Sequence, residues 1–469
     1  LDKYTFAMQV ECPDALKKAF EDNDAAKRWR KDIVTRPPYN GVNNDRDGKS
    51  YQSFVSGPWV EHARASNERS IPDIHDGLKP VQRKILYTMM KGKNKEIKVA
   101  QLNGKVAMET HYHHGEMNVG NAIVNMAQDF VGSNNLPYLQ PLGQFGTRHK
   151  GGADHASHRY IFTKLQPWVK YAFPEADLPV LDYNVVDGHT VEPHHFVPII
   201  PMLLINGAAG IGCGWATDIP KFNQIHVIDA VLNGQYNISP WYNNFMGDIR
   251  DGKTWADYTI EDATCTISEL PIGVWTSTFK EKLKKLDIRF TESHTDTTVR
   301  FVIDTDRLQK LPLSNNIKQN WVAFCHDRIR KTTLAEVFRT HAEERLALYS
   351  KRKQYQLNEM ETDMVEKNNR MRFIEQCLAG KVPITEKTYD ECVAVCEQLG
   401  IDPKYLDIRL RDITPDAVLS LKEGIMKLQG RITALKATTE KQMWQKELTE
   451  LRNHLVPSQK RKREEGFES

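Results

Sequence analysis

The sequence predicts an α+β protein of several domains, and three observations lead to this prediction. The chain has 469 residues, enough for several domains of roughly 100–200 residues each. Residues 196–204 (FVPIIPMLL) form an apolar run typical of a buried strand in a mixed α/β region. Residues 333–378 place apolar side chains among many charges over a length that exceeds a typical globular helix, which predicts a coiled-coil arm.

The composition restricts the class of partner and the environment. The net charge is only +3, so a nucleic-acid footprint has to be local. The seven cysteines form no C-x-x-C pair, which favours free thiols in a reducing compartment. No apolar run approaches the roughly 18 residues of a membrane span, and the sequence shows no secretory signal. Because the first residue is leucine, we expect a fragment, a processed chain or a split chain.

The first 68 residues predict a helix over residues 14–30, followed by a loop rich in proline, glycine and asparagine. Within that helix, residues 27–31 (KRWRK) form a basic run around one tryptophan. On the residues alone, a solvated helix face is the favoured interpretation of this run.

A second helix is predicted to begin at Lys79-Pro80, since proline is tolerated at the first helical position. Lys79, Arg83 and Lys84 place positive charge at its start and along it, and this charge opposes the helix dipole. An external anion is therefore a natural partner, and solvated side chains are the alternative.

The next motif, residues 112–116 (YHHGE), contains two histidines and a glutamate that could suggest a metal site. Adjacent histidines rarely reach one metal from regular structure, and no spacing indicates a third ligand, so this interpretation is disfavoured. Residues 117–130 then predict an amphipathic helix that belongs to the core.

A basic segment punctuated by glycines, residues 143–152, leads to Arg159 and Tyr160 and then to a short predicted strand. A tyrosine phenol can act as a nucleophile, and an arginine can stabilise charge that develops on a phosphate. Neighbouring side chains on a strand point to opposite faces, so this pair acts together only in a turn, which the glycines and Ser157 favour. An isolated Arg-Tyr pair is more commonly an ordinary strand start.

Residues 206–215 (NGAAGIGCGW) contain four glycines that would let the backbone approach another group closely. A dinucleotide site is disfavoured, because no G-x-G-x-x-G opens a βαβ unit here. Ile211 is the lone large aliphatic side chain among these glycines, and an apolar wedge of this kind can enter between base steps and kink DNA. A core isoleucine under a glycine turn is the alternative.

The C-terminal part predicts a long helix, a stop at Pro383, a small helical region over residues 389–410 and a returning helix from Asp416 to about Leu455. Two antiparallel arms with a globular tip would also suit a structural coiled coil of any function. Residues 460–463 (KRKR) are similar to a nuclear localisation signal, with a solvated tail as the equal alternative.

Four stretches, in this order, resemble eukaryotic-type DNA topoisomerase II, a type IIA family. They are residues 69–84 (RSIPDIHDGLKPVQRK), 112–116, 143–163 (GQFGTRHKGGADHASHRYIFT) and 198–215 (PIIPMLLINGAAGIGCGW). The resemblance implies the breakage-reunion part of that family, without its ATPase and Toprim domains. It implies a connector after a missing Toprim domain (1–68), a winged-helix DNA-cleavage domain (69–165), a mixed α/β tower domain (166–330), an antiparallel coiled coil with a small helical dimerisation gate, the C-gate (331–455), and a basic tail (456–469).

The resemblance also implies the roles of individual residues. Tyr160 would be the nucleophile of a transient double-strand break, and Arg159 would stabilise the transition state. Arg69, Lys79 and His114 would hold the phosphate. Ile211 would insert between base pairs and bend the DNA. The further DNA contacts it implies are Lys27, Arg83, Lys84, Tyr112, Asn118, Arg148 and Trp275.

For the full enzyme, the resemblance implies double-stranded DNA as the substrate, a homodimer joined through the C-gate, and Mg²⁺ and ATP bound by Toprim and ATPase domains, which would lie elsewhere in the protein or on a separate subunit. These 469 residues contain no E-G-D-S-A-like and no D-x-D-x-D-G sequence. We therefore expect no metal site in this chain, and a chain that alone binds and bends DNA but cleaves it poorly. A nuclear location is implied, with a viral protein in a host cell as the alternative.

Two positions depart from the family pattern. His158 stands where the family usually has proline, which could shift the pose of the Arg159-Tyr160 pair, and Ala209 stands where it usually has glutamate. The second candidate function is a non-catalytic DNA-bending dimer of the same fold, and the third is a structural coiled-coil protein.

Overall fold

The structure, a computed structural model, describes residues 6–7, 12–33, 49–92, 94–112, 115–326, 328–384 and 388–456. The chain forms two compact units. The first contains Leu1–Glu175, Leu181–Arg345 and Glu447–Ser469, and the second contains Ala176–Val180 and Leu346–Lys446. The mixed helix and sheet content confirms the predicted α+β class. The division into five named parts stays a prediction, and His114 and the tail after Val456 lie outside the described residues.

The N-terminal segment of the first unit forms two helices where the sequence predicted one over residues 14–30. Asn23 separates them, because its Oδ1 accepts a hydrogen bond from the Ala26 backbone N–H at 2.8 Å and caps a new helix. Arg30 then donates to the Ala19 and Glu21 carbonyls at 3.1 and 2.9 Å, which satisfies the end of the preceding helix. The elements are β1 (Phe6–Ala7), α1 (Cys12–Phe20), α2 (Asp24–Ile33), β2 (Lys49–Ser50), α3 (Tyr51–Ser56) and α4 (Pro58–Ser70).

The helical segment that follows carries most of the candidate residues. One helix begins at Pro80, as predicted, and the Gln82 side chain accepts a hydrogen bond from the Lys79 backbone N–H at 2.9 Å. The helix predicted over residues 117–130 ends earlier, because Gln128 adopts an extended backbone conformation. The elements are α5 (Pro80–Lys91), β3 (Ile97–Lys98), α6 (Val99–Glu109), α7 (Glu116–Ala127), β4 (Phe162–Thr163) and α8 (Val169–Ala172), followed by a 3₁₀ helix (Glu175–Val180).

The predicted strand over residues 196–204 is wrong, although its burial is right. Two hairpin strands, β5 (Tyr183–Val186) and β6 (His189–Pro193), precede the segment. The segment then runs without regular structure and enters a short helix, α9 (Met202–Asn206). Pro198 and Pro201 have no N–H to donate to a ladder, which disfavours a strand here. Side chains replace the ladder: His341 Nε2 lies 2.7 Å from the Pro198 carbonyl oxygen, and Arg345 Nη1 donates to the Val197 carbonyl at 2.7 Å.

The role of His341 leads to a prediction about stability and pH. Burial lowers the pKa of His341 to about 3, against about 6.5 in an unfolded chain. Between these values the unfolded chain binds a proton that the folded chain does not, so the free energy of unfolding falls as the pH falls. At pH 5 the loss is roughly 2 kcal/mol relative to pH 7. We expect urea titrations at pH 7 and pH 5 to show a loss of unfolding free energy that is smaller in His341→Gln by about this amount. The same dependence of unfolding free energy on pH in both proteins would contradict the prediction.

The remaining strands of the first unit build small antiparallel sheets. A four-stranded sheet has the order β11-β12-β14-β13, and Phe279 and Leu283 of α11 pack on it against Phe301. A three-stranded sheet has the order β15-β10-β9, and two hairpins pair β7 with β8 and β16 with β17. These elements are β7 (Ala208–Ile211), β8 (Ala216–Ile219), α10 (Gln224–Asn233), β9 (Asp248–Arg250), β10 (Lys253–Trp255), β11 (Asp257–Glu261), β12 (Thr264–Glu269), α11 (Thr276–Lys285), β13 (Phe290–Glu292), β14 (Phe301–Asp304), a 3₁₀ helix (Thr305–Lys310), β15 (Ser314–Asn316), β16 (Val322–Cys325) and β17 (Arg328–Lys331).

The long helix predicted over residues 333–378 is present as α12 (Leu334–Leu378), and residues from Leu346 onward belong to the second unit. It ends before Pro383, at Leu378, and Gly380 follows with a left-handed φ of +69°. The returning helix is broken at residues 438–439 into α14 and α15. The elements are α13 (Tyr389–Gln398), 3₁₀ helices (Pro403–Asp407 and Leu410–Asp412), α14 (Pro415–Ala437) and α15 (Glu440–Leu455).

The second unit has its own apolar core around Phe373, Ile374 and Tyr405, which also buries Cys396. Ion pairs from Lys422 to Glu375 and from Lys436 to Glu361 join α14 to α12 within this unit. The six cysteines with described side chains are free thiols, as predicted. Among the described helices, none combines the length and apolar character needed to cross a bilayer.

Candidate active site and nucleic-acid interface

Arg159 and Tyr160 lie in a turn, which is the condition that the sequence set for their acting together. The Tyr160 N–H donates to the Ser157 carbonyl at 2.9 Å and closes this turn. The Tyr160 side chain is 69 % exposed, whereas the next residue, Ile161, is fully buried. The Arg159 guanidinium lies 5.5 Å from the centroid of the Tyr160 ring. A phenol and a cation are therefore presented to solvent side by side.

The turn is attached to α6 and to a short sheet. The Ala100 N–H donates to the His158 carbonyl at 3.1 Å, and the Val99 N–H donates to the Ile161 carbonyl at 3.0 Å. Immediately after Tyr160, β4 pairs with β3 in antiparallel register. The backbone on both sides of Tyr160 is thus held by regular structure, while the side chain itself is exposed.

The glycine segment before the turn is wrapped around Gln128, the residue that ends α7. Gln128 Nε2 donates to the carbonyls of Phe145 and Gly152 at 2.9 and 3.2 Å. Gly152 has a φ of +86°, and a Cβ there would lie 2.3 Å from Gln128 Nε2, so glycine is required for this close approach. A buried amide therefore organises the loop that delivers the tyrosine.

His158 packs on α7 through a glycine. A Cβ at Gly120 would lie 2.4 Å from two atoms of the His158 ring, so the absence of a side chain at Gly120 makes room for that ring. The ring also stacks on His155 at 5.6 Å with an interplanar angle of 7°. Burial lowers the pKa of His158. The histidine before the Arg159-Tyr160 pair thus anchors the turn to a helix.

We expect Gly120→Ala to displace the His158 ring and shift the turn, because the ring is the movable partner in the clash. A misplacement on the order of 1 Å is enough to reduce a positioned reaction by roughly 10- to 100-fold. DNA affinity should be unchanged. A matched control exists in Gly104→Ala on α6, where an added Cβ meets no atom within 4 Å. The predicted DNA cleavage and DNA binding, measured for both variants together with a Toprim-bearing partner, would check this; equal cleavage in the two would contradict it.

Four predicted residues line one cleft of about 620 Å³: Arg69, Lys84, Tyr112 and Asn118. Arg69 lies in the last turn of α4 and is exposed. Burial raises the pKa of the Tyr112 phenol, with the Arg69 charge acting in the opposite direction. The charge of Lys84 is largely compensated by an internal ion pair, since its Nζ lies 2.7 Å from a Glu192 carboxylate oxygen. Arg69 is therefore the cation of this cleft that is best placed for an external anion.

Lys79 connects the start of α5 to the β7–β8 hairpin. Its Nζ donates to the Ala209 carbonyl at 2.8 Å, and burial lowers its pKa. The hairpin also packs on α4, since a Cβ at Gly210 would lie 1.9 Å from the Ser70 carbonyl oxygen. Asn67 Nδ2 donates to the Cys213 carbonyl at 3.1 Å. The hairpin is thus held next to the end of α4 that carries Arg69.

Ile211 is the last residue of β7, and its side chain is 85 % exposed. The alternative of a core isoleucine is therefore wrong. Ile211 lines a cleft of about 570 Å³ together with Lys27, Lys31 and Lys331, among others. Lys27 pairs with Asp22 at 2.7 Å, and this hydrogen bond raises the pKa of Lys27. The fold brings the predicted wedge and the predicted connector lysine to one basic surface.

Two predicted cations have internal partners. Arg83 donates to the Asp76 carboxylate at 2.7 and 3.1 Å, and both side chains are buried. Arg148 is buried against Glu269, with Nη1 to Oε2 at 3.2 Å. Arg83 therefore does not require the external anion that its charge suggested, because a buried carboxylate already compensates it. These positions do not favour the predicted DNA contacts of Arg83 and Arg148.

Trp275, the N-cap residue of α11, is half-buried rather than presented to solvent. Its ring meets Phe130 edge-on at 5.8 Å, and a Cβ at Gly151 would lie 2.4 Å from it. Trp275 therefore supports the glycine segment that precedes the tyrosine turn. It stands between β12 and α11, after a turn over residues 271–274 that the Val274 N–H closes on the Pro271 carbonyl at 3.0 Å.

Sequence reasoning did not single out Gln128, Asn67 or Ser70, although these residues hold the loop and the hairpin in place. The glycines were the available sequence signal, because a glycine that allows close approach of the backbone implies a second residue packed against it. The sequence does not name that partner, because Gly152 and Gly212 contact residues that are distant in the chain.

Comparison with known proteins agrees with this geometry. The solved structure described as the Plasmodium falciparum topoisomerase II DNA-binding, cleavage and re-ligation domain superposes with a TM-score of 0.84 at 29% identity, over 98% of this chain and 72% of that chain. The fold is thus of the type IIA breakage-reunion class. The family model that describes the A subunit of DNA gyrase and topoisomerase IV matches residues 69–449, and the chain belongs to this family.

Curated relatives give the same assignment. The chain is 35% identical to the mitochondrial DNA topoisomerase 2 of Dictyostelium discoideum, over 98% of this chain and 39% of that protein. It is 40% identical to mouse DNA topoisomerase 2-alpha, over 75% of this chain and 26% of that protein. The chain therefore spans less than half of the length of these relatives.

Proposed function

We propose that this chain is the DNA-binding and cleavage core of a type IIA DNA topoisomerase, which makes a transient double-strand break, passes a second duplex through it and rejoins the ends. The observation that carries the proposal is the exposed Tyr160 phenol on a turn anchored at both ends, with the Arg159 guanidinium over its ring. A DNA-bending protein needs neither group. Family membership supports the same conclusion.

In the proposed reaction, the Tyr160 oxygen attacks a backbone phosphorus and loses its proton. The bond from phosphorus to the 3′ oxygen breaks, and that oxygen leaves as a hydroxyl after taking up a proton. The 5′ end remains attached as a phosphotyrosine ester. Because the phosphotyrosine ester replaces the broken phosphodiester bond, religation by the 3′ hydroxyl needs no external energy. Arg159 stabilises the negative charge of the five-coordinate phosphorus.

Two further cations are proposed to hold the phosphate. Arg69 offers an exposed guanidinium in its cleft, and Lys79 is held at the hairpin by the Ala209 carbonyl. Arg69 lies at the end of α4, and Lys79 contacts the hairpin that packs on that end. This proximity supports a common anion site. His114 stays a proposal from the family pattern alone, since it lies outside the described residues.

The DNA surface that we propose contains Ile211 as the wedge, with Lys27, Tyr112 and Asn118 as contacts and Lys84 as a weaker one. An inserted aliphatic side chain unstacks one base step at a cost of a few kcal/mol, which contacts to the bent duplex offset. The exposure of Ile211 above a basic cleft supports this arrangement.

We further propose the family's division of the chain: a winged-helix domain around α5 to α7, a tower domain, and a coiled coil with a C-gate that joins two copies of the chain. The long α12 and the returning α14, with their own apolar core, support the last of these. Two copies supply two tyrosines, one for each DNA strand.

The full enzyme is proposed to use Mg²⁺ and ATP. The described residues do not fit the cleavage metal: in the segment before the tyrosine turn, Asp154 is engaged by the Thr147 backbone and hydroxyl at 2.9 and 2.6 Å. The described groups that could hold a metal lie instead around His75. We therefore derive no step through Mg²⁺ from this chain and propose that Toprim and ATPase domains or subunits supply both cofactors.

The nucleus is the proposed location, on the basis of the basic cluster at residues 460–463. A viral protein acting in a host cell is the alternative. Two relatives, from Caenorhabditis elegans and Dictyostelium discoideum, are named as mitochondrial, which makes the mitochondrion a further candidate.

The proposal is tested by DNA cleavage on supercoiled plasmid with magnesium, using this chain together with a Toprim-bearing partner. Denaturant added during the reaction should trap the protein on 5′ DNA ends. Tight and salt-sensitive DNA binding without any covalent adduct, even with the partner present, would contradict catalysis and leave the DNA-bending dimer.

A further inference from the structure

A cluster of histidines and carboxylates lies where the segment before α5 meets the β16–β17 hairpin and α12. His75 is at its centre and only 1 % exposed. Its ring stacks on His195 at 4.2 Å and meets His326 edge-on at 5.1 Å. Asp73 and Glu344 complete the cluster. The proposed DNA chemistry uses none of these five side chains.

The two nitrogens of His75 have different surroundings. Nδ1 lies 2.7 Å from Asp73 Oδ1, and the same oxygen accepts from the His75 backbone N–H at 2.8 Å. In the neutral imidazole, a carboxylate on Nδ1 holds the proton there and leaves a lone pair on Nε2. Nε2 is buried and has no hydrogen-bond partner among the described residues. Buried polar atoms are rarely left unpaired, so this nitrogen indicates a missing partner.

The groups around His75 suit a metal ion. One ligand atom from each of His75, His326 and Glu344 lies within 4.8 Å of the other two. His326 Nε2 and Glu344 Oε1 are 3.3 Å apart. Two ligands bound at 2.0–2.1 Å to a tetrahedral ion lie about 3.3 Å apart. This pair is already at the spacing that a tetrahedral ion requires.

We propose that His75, His326 and Glu344 bind one Zn²⁺ ion, with Asp73 orienting His75 through its other nitrogen. Two imidazoles and a carboxylate suit zinc, whereas Mg²⁺ and Ca²⁺ prefer oxygen ligands. Three protein ligands leave a fourth position for solvent. The other combination, Asp73 with His75 and His195, is accounted for without an ion, because a hydrogen bond already joins Asp73 to His75 and the His195 ring lies flat on that of His75.

The site joins three elements, and one of them leads to the proposed DNA surface. Backbone bonds link Ile74 and Pro72 to Phe324 of β16, both at 2.9 Å. The same segment continues through Asp76, which binds Arg83, to Lys79 at the start of α5. Zinc binding would tie this segment to the hairpin and to α12, and we expect it to raise the melting temperature.

The test is a zinc titration of the full chain after its metal has been removed with a chelator. Zinc chloride is the added metal salt, and a chromophoric chelator competes with the chain for the ion. We expect one Zn²⁺ per chain, and affinity reduced by at least roughly 100-fold in His326→Ala/Glu344→Gln. Both replaced residues are partly exposed, with side chains 67% and 33% accessible, so the variant should fold. Substitution by Co²⁺ should give the visible absorption of a tetrahedral site, which the variant lacks.

His189→Ala is the matched control, because His189 stacks on His111 at 5.0 Å beside the Asp187 carboxylate and resembles the cluster without its buried nitrogen. This control should bind zinc as the unmodified chain does. Absence of stoichiometric zinc binding, equal affinity in the double variant, or an equal loss in the control would each overturn the proposal.

Discussion

Replacing Tyr160 with phenylalanine is expected to abolish the covalent protein–DNA adduct and to reduce cleavage by at least roughly 10³-fold. The change removes only the oxygen that attacks phosphorus. The hydroxyl makes no hydrogen bond within the described part of the chain, and the ring is exposed, so neither the fold nor the turn depends on it. The Arg159 guanidinium keeps its aromatic partner in the variant.

The measurement is the yield of 5′-linked protein after denaturation, with DNA affinity determined in parallel. Tyr389→Phe is the matched control, since that tyrosine is 61 % exposed on α13 of the second unit. The control should cleave normally, and both variants should bind DNA normally. An adduct that persists in Tyr160→Phe would show that another residue is the nucleophile.

Replacing Ile211 with alanine is expected to reduce DNA bending and to lower cleavage by roughly 10-fold or more, because an unbent duplex is misplaced relative to the tyrosine. A shortened side chain no longer fills the space between separated base pairs, so the cost of unstacking is not offset. The loss of the apolar contact should weaken DNA binding by about 1–2 kcal/mol. Protein stability should not change, because the side chain is 85 % exposed in the free protein.

The bend is measured by energy transfer between dyes at the ends of a short duplex. Ile260→Ala on β11 is the control, since Ile260 is also an exposed isoleucine on a strand, at 55 %. Ile211→Leu should retain most of the bend, because it keeps the apolar volume. If Ile211→Ala bends DNA as the unmodified chain does, the wedge assignment is wrong.

Element types follow well from local sequence where a single local signal is strong. Pro80 marks the start of α5, and the long stretch of apolar residues spaced among charged ones marks α12. The prediction fails where a residue has a second role. Asn23 fits the interior of the predicted helix but caps α2, and the apolar run at residues 196–204 is typical of a strand although Pro198 and Pro201 disfavour one.

The prediction of site residues depends on a different kind of information. The motif places Tyr160 and Ile211 correctly at exposed positions, because glycine and serine favour turns there. It also offers Arg83 and Arg148 as DNA contacts, since a cation in a motif looks the same whether its partner is a phosphate or a carboxylate. Glu269 lies 121 residues from Arg148, so the sequence contains no local sign of the pair.

The sequence alone was sufficient for the α+β class, the family resemblance and the tyrosine as candidate nucleophile, because each depends on contiguous residues. The tertiary structure decided which of the predicted DNA-contacting cations are exposed and which have internal carboxylate partners. It also decided that Lys27 and Ile211 share one cleft and that His75, His326 and Glu344 converge. The reason is physical: burial and charge compensation depend on contacts between residues far apart in the chain, and local patterns do not encode them.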